Sequence, residues 1–110
     1  MRKIEKDMVA AIKAKKNWKS GNTKVDIENG AVLVRLHGNL IAQIGEEVLD
    51  VSDCGFPTRT TRSRLNAVIG ACGRTERVYQ TKGVQMLGTR DEAIPFSCED
   101  VSESFTIVLS

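Results

Sequence analysis

The chain has 110 residues, 41% of them hydrophobic, 27% charged and only 5% aromatic, with a formal net charge of +2. That length supports one hydrophobic core, here built mainly from Val, Ile, Leu, Met and Ala, and the balance of apolar to charged residues excludes a disordered chain. The longest apolar runs fall far short of the roughly 18 residues a membrane helix needs, which excludes a helical span.

Residues 2–16 are predicted to form an amphipathic helix. Ile4, Met8, Ala11 and Ile12 share one face at about 100° per residue, Trp18 would return near that stripe, and Arg2, Lys6, Lys13 and Lys16 lie opposite. Lys15 and Lys19 would point into the stripe, so the helix should fray near Lys16, before Ser20-Gly21-Asn22 breaks it.

Residues 23–52 then alternate in the manner of short antiparallel strands. Asn29-Gly30 and Gly38-Asn39 are two-residue turn signals, because such residues tolerate positive φ. Between them Val32, Val34 and Leu36 alternate with Leu33, Arg35 and His37, and Leu40, Ala42 and Ile44 repeat the pattern on the next strand. Gly45-Glu46-Glu47 should turn the chain into a strand over 48–51.

A second helix is expected to start at Thr60 or Thr61, whose hydroxyl can cap an otherwise orphaned amide. Leu65, Val68, Ile69 and Cys72 make its core stripe and Gly73 its left-handed stop. Gly70 inside it costs about 1 kcal/mol relative to Ala, which suggests close packing against the sheet as compensation. Residues 77–87 are strand-like, with Thr81-Lys82-Gly83 either a turn or a bulge, residues 94–98 are short and extended, and 105–109 form a β segment rich in branched residues.

The expected fold is therefore one α+β domain over residues 1–110, in the order α-β-β-β-(β)-α-β-β-β. Two helices pack on one face of a mainly antiparallel, twisted sheet, since each has a single apolar stripe to bury. Met8, Ile12, Val34, Leu36, Leu65, Val68, Ile69, Ile107 and Leu109 are the expected core.

Several stretches also carry a resemblance. Asn17-Trp18-Lys19-Ser20-Gly21-Asn22-Thr23, Leu36-His37-Gly38-Asn39-Leu40-Ile41-Ala42, and Gly55-Phe56-Pro57-Thr58 leading into Thr60-Thr61-Arg62-Ser63-Arg64-Leu65-Asn66-Ala67 are similar to landmarks of a family of short tailed-bacteriophage proteins of unknown function. The resemblance covers residues 1 to about 87. Phe56 stands where the pattern has tryptophan, and the chain after Leu87 departs from it. The resemblance implies a phage product made in bacterial cytoplasm and carries no activity with it.

No set of residues compels a chemistry. Charge is distributed in blocks, +5 over residues 1–20, −4 over 21–58, +6 over 59–90 and −5 over 91–110, which favours distinct positive and negative faces. Arg59, Thr60, Thr61, Arg62, Ser63 and Arg64 could form an anion cradle at a helix start, joined by Lys6, Lys13 and Lys16 in a nucleic-acid contact. The plainer reading is a helix cap followed by solvated side chains, and stacking aromatics for single strands are scarce. His37, Cys54, Cys72 and Cys98 are enough ligands for zinc but lack the close spacing of a zinc site, so no metal or cofactor is expected. Cys54, beside a turn, is the only thiol expected to be exposed enough to pair with His37 as a nucleophile. Glu46, Glu47, Asp50, Asp53, Glu99, Asp100 and Glu103 read as solvated charge. Three widely spaced cysteines without a secretory leader predict a reducing, cytoplasmic setting.

The sequence thus leads to a non-enzymatic binding or accessory protein engaging a host protein. A nucleic-acid-binding module using the basic first helix and the arginine-rich second helix start is the alternative, and a self-associating structural protein a third; no membrane partner is expected.

Overall fold

A computed structural model of the chain describes residues 2–56, 58–89, 91–96 and 104–109. Helix α1 spans Lys3–Ala14 and buries Glu5, Met8, Ala11 and Ile12. It stops two residues before the expected end at Lys16. Lys15 takes φ 52°, and the amides of Lys15 and Lys16 donate back to the carbonyls of Ile12 and Ala11 at 3.2 and 3.0 Å, closing the helix with a left-handed residue that is usually glycine. The reversal sends Trp18 into a strand, β1 (Trp18–Ser20), rather than along the helical stripe. From there it still packs against the core.

Four antiparallel strands follow, β2 (Thr23–Glu28), β3 (Ala31–Leu36), β4 (Asn39–Ile44) and β5 (Val48–Val51). Asn29 and Gly30 sit at φ 50° and 81°, the pair of left-handed residues that matches hairpin twist. The next turn uses the same device one residue earlier than expected, at His37 (φ 52°) and Gly38 (φ 81°). Leu36 pairs with Asn39, so Asn39 already belongs to β4. Val34 faces Ala42 while Arg35 faces Leu40, which leaves Ile41 as a bulge residue; it is turned inward and buried, whereas Leu40 is only half-buried.

Helix α2 spans Arg59–Ala71, and its cap is Thr58, not Thr60 or Thr61: the Thr58 hydroxyl accepts the Thr61 amide at 3.2 Å. Leu65, Val68 and Ile69 are fully buried, each worth about 1.5–3 kcal/mol of apolar burial. Gly73 takes φ 75° at the stop. Gly70 is exposed, with nothing within 4 Å of where a β-carbon would sit, so close packing is not its role.

Strands β6 (Arg77–Thr81), β7 (Val84–Gly88) and β8 (Ala93–Pro95) make a separate three-stranded antiparallel sheet, with a tight turn at Lys82 and Gly83. Of the expected extended segment 94–98, residues 97 and 98 lie outside the described residues. Strand β9 (Phe105–Val108) returns to pair with β5 and completes a six-stranded sheet in the order β1-β2-β3-β4-β5-β9.

The architecture is α+β: the described residues form two helices and nine strands, the strands divided between two antiparallel sheets. The helices pack on each other, α1 against β1 and β2, α2 against β4 and β6. Val78, Leu87 and Phe96 from the second sheet and the segment after it enter the same core as Met8, Ile12, Val34, Leu36 and Ile107, while Leu109 is half-buried at its margin. Asn66 joins helix to sheet: its side-chain amide accepts from the Val78 N–H at 2.7 Å and donates to the Val78 carbonyl at 3.0 Å, as a neighbouring strand would.

Candidate functional site

Two buried polar systems meet where α2 begins. In the first, Glu5 of α1 and Arg64 of α2 form an ion pair at 2.7 Å with both side chains only 4% exposed. The Ser63 hydroxyl donates to the same carboxylate oxygen, and Arg64 Nε donates to Thr23 Oγ1 at 3.0 Å. The Thr23 hydroxyl passes on to Asn22 Oδ1 at 2.8 Å, and the Asn22 amide reaches towards His37 Nε2 at 3.5 Å. Burial by itself pushes the Glu5 carboxyl up. Hydrogen bonds from Ser63 and Arg64, with the Arg64 charge, outweigh that and hold it below its ordinary value.

In the second, Asp53 is buried after β5. Its Oδ1 accepts the Gly55 amide at 2.9 Å and its Oδ2 accepts Gln85 Nε2 at 2.6 Å, while Gln85 Oε1 accepts from Arg62 Nη1 at 3.2 Å. The solvated carboxylate expected at Asp53 is therefore an interior one. Cys54 is buried as well, with its thiol donating to the Leu40 carbonyl at 3.0 Å, which overturns its expected exposure.

Between these systems opens a cleft of about 330 Å³. The β3–β4 turn supplies His37 and Asn39, Leu36 and Ile41 form the apolar floor, Asp53 and Phe56 come from the loop after β5, and Thr58, Thr60 and Thr61 come from the start of α2. Phe56 is 53% exposed, one of the large apolar residues open to solvent. The volume lies at the low end of small-ligand sites, with a mainly apolar lining and a few convergent polar groups.

The expected anion cradle is divided by helix geometry. Arg59 is exposed and Thr60 half-buried at the cleft; Thr61 is buried, its hydroxyl 2.9 Å from that of Thr58. Arg62 is half-buried on Gln85, while Ser63 and Arg64 turn inward to Glu5. Arg64 is thus committed to an internal carboxylate and does not present itself to an external anion. Lys6 and Lys13 on α1 and Lys16 just after it are exposed.

Cys72 is half-buried, and burial pushes its thiol up, away from the thiolate a nucleophile needs. Among the described residues no group of three or more His, Cys, Asp or Glu could hold a metal ion; Cys98, Glu99, Asp100 and Glu103 lie outside those residues. Glu46 and Glu47 are exposed, and Asp50 accepts the Thr106 hydroxyl at 2.5 Å.

Sequence reasoning overlooked Glu5 and Gln85. A signal for the first existed: Glu5, Met8 and Ile12 are spaced three and four apart, so the acid sits on the apolar stripe itself. Arg64 likewise lies four residues before Val68 and three after Thr61, on the inward side of α2.

These features define a small α+β domain with a cleft at a helix start, framed by three separate stretches of the chain. Of the residues lining the cleft, Leu36, His37, Asn39 and Ile41, Phe56 and Thr58, and Thr60 and Thr61 belong to the landmarks of the phage resemblance, while Asp53 does not. The chain belongs to the Kyanoviridae Gp96 protein family of bacteriophage proteins, which matches residues 1–103. The match continues past Leu87, where the sequence resemblance was expected to end. No curated protein and no solved structure matches the chain. Among the described residues no helix is long and apolar enough to cross a membrane.

Proposed function

We propose that this phage protein is a non-enzymatic accessory factor that binds another protein, a host protein in the bacterial cytoplasm, through the cleft at the start of α2. The observation that carries the reading is Phe56, a half-exposed aromatic ring beside an apolar floor formed by Leu36 and Ile41. Exposed aromatics next to a preformed pocket, rimmed by polar groups, are the usual energetic centre of a protein interface. The groups a nucleophilic mechanism would recruit are turned elsewhere: the Cys54 thiol donates to a backbone carbonyl, and the hydroxyls of Thr58 and Thr61 bond to each other.

The test is a photo-reactive phenylalanine analogue placed at position 56, with the same analogue at Ile94 as a control on another exposed apolar position. Irradiated in infected cells, the protein should form one discrete adduct from position 56 and not from 94. Identical adducts from both positions, or none from 56, would count against the reading.

The exposed Lys6, Lys13 and Lys16 favour nucleic acid as a second reading. Phosphate-driven binding weakens steeply with salt, so a fluorescence titration with labelled DNA and RNA between low and moderate salt decides it. Absence of low-salt binding removes the reading.

A further inference from the structure

We infer that β9 is the seam of a symmetric dimer, in which the same strand of a second copy adds antiparallel to its open edge. The inference is independent of the cleft. The two sheets leave four outer edges, β1 and β9 on the larger, β6 and β8 on the smaller. An edge strand presents unpaired amides and carbonyls, and a sheet that stays single blunts it with shortness, a charge, a proline or a covering group. Three of the four edges are blunted in this way. Strand β1 has only three residues with the exposed Lys19 at its centre, and beyond it Asn17 Oδ1 accepts the Ile27 amide at 2.8 Å. On β6 the N–H and carbonyl of Val78 are both taken by the Asn66 side chain. On β8 the Phe96 amide donates to the Gln85 carbonyl at 2.7 Å, which sets Pro95 at an outward position, where it has no N–H to offer.

Strand β9 carries none of these devices. Phe105-Thr106-Ile107-Val108 has neither charge nor proline, and among the described residues no strand pairs with its outer side. The Leu109 amide donates to the Glu47 carbonyl at 2.7 Å, and Val48 faces Val108. Ladder alternation then turns the backbone groups of Phe105 and Ile107 towards β5 and those of Thr106 and Val108 outward.

A second copy matches this edge by symmetry. In a two-fold pairing centred on Ile107, Thr106 faces the partner's Val108 and Val108 faces the partner's Thr106, each exchanging both backbone bonds with its opposite. Phe105 then lies opposite the partner's Leu109, so neutral side chains meet along the whole seam and no charge opposes another. On the outer face each copy brings an exposed pair, Val48 at 37% and Val108 at 58%. The two-fold sets the two Val108 side chains diagonally adjacent and merges both pairs into one apolar stripe. A charged foreign strand would find no counter-charge on β9.

The seam is small, so the association is weak and is read at high protein concentration. The experiment is sedimentation velocity of the full chain, with amide exchange on the ¹⁵N-labelled protein, from about 20 µM to about 1 mM. The mass should rise from monomer towards dimer. The Thr106 and Val108 amides should gain protection with concentration, while the Ile107 amide, bonded to β5, is protected throughout. Val108→Lys sets like charges diagonally across the seam and should weaken association at least about ten-fold. Val84→Lys, at another exposed apolar position, should leave it within about two-fold. Both positions are exposed, so both variants keep the fold. A chain still monomeric at about 1 mM, association undiminished by Val108→Lys or abolished by Val84→Lys, or exchange at Thr106 and Val108 indifferent to concentration would overturn the inference.

Discussion

Replacing Arg64 by methionine removes the cation from a pair whose side chains are both 4% exposed and leaves the Glu5 carboxylate inside with the Ser63 hydroxyl and the Arg2 backbone amide but no opposite charge from Arg64. Breaking a buried pair from one side costs about 3–5 kcal/mol, because the stranded charge keeps its desolvation penalty. For a chain of this size, with about 4 °C lost per kcal/mol, the melting temperature should fall by about 12–20 °C. Removing both charges in Glu5→Leu/Arg64→Met should recover at least about 2 kcal/mol of that loss, since apolar replacements of a buried pair are often near neutral.

The pH dependence provides an independent check. In the wild type the Glu5 carboxyl is lowered on folding, so its stabilising contribution is complete above the ordinary carboxyl range of about 4.3 and is lost as pH falls through the lowered value. In Arg64→Met burial prevails, the carboxyl is raised, and stability should instead grow as pH falls from 7 towards 5. Urea unfolding followed by Trp18 fluorescence and far-ultraviolet circular dichroism at several pH values measures both effects. A single variant within about 1 kcal/mol of wild type, or one with the wild-type pH slope, would refute the assignment of a buried, charge-paired Glu5.

Three further substitutions probe the fold around the site. Gly70→Ala should stabilise the protein by about 0.5–1 kcal/mol, as the new methyl meets nothing within 4 Å in a helix interior; a lowered melting temperature would contradict the exposed placement. Asn66→Leu removes both bonds to Val78 and should cost about 1–3 kcal/mol, with hydrogen-exchange protection of the Val78 amide lost first. Gly88→Ala sets a β-carbon 2.2 Å from the Glu92 carbonyl oxygen, so thermal unfolding should reveal a loss of about 1–3 kcal/mol.

Elements whose signal is periodic were readable in the sequence, and those decided by pairing were not. Met8 and Ile12, or Leu65, Val68 and Ile69, mark their helix faces by spacing alone, and all are buried. Strand β1 has only three residues, too few for alternation to show, and Trp18 also fits the helical stripe that precedes it. The His37-Gly38 turn competes with Gly38-Asn39 on equal local terms, and only the Leu36–Asn39 pairing decides between them. Thr58, Thr60 and Thr61 can each cap a helix, and the choice among them depends on where the chain leaves β5.

The candidate site was legible as a set of loops but not as a chemistry. Thr60 and His37 line one cleft, although the sequence reading treated their stretches separately, because their meeting depends on long-range packing. Glu5 lies 59 residues from Arg64, and Asp53 lies 32 from Gln85. Nothing local announces that Asp53 is interior, and the places of Glu5 and Arg64 on inward helix faces do not by themselves say that the two meet.

The claim that the cleft, not the basic outer surface, is the working face is tested most directly by quantitative co-purification from infected cells. Tagged wild type would be compared with Phe56→Glu and with Lys6→Glu/Lys13→Glu/Lys16→Glu, all at exposed positions. The account expects the partner to be lost from Phe56→Glu and retained by the triple variant. Retention by Phe56→Glu together with loss from the triple variant would contradict it.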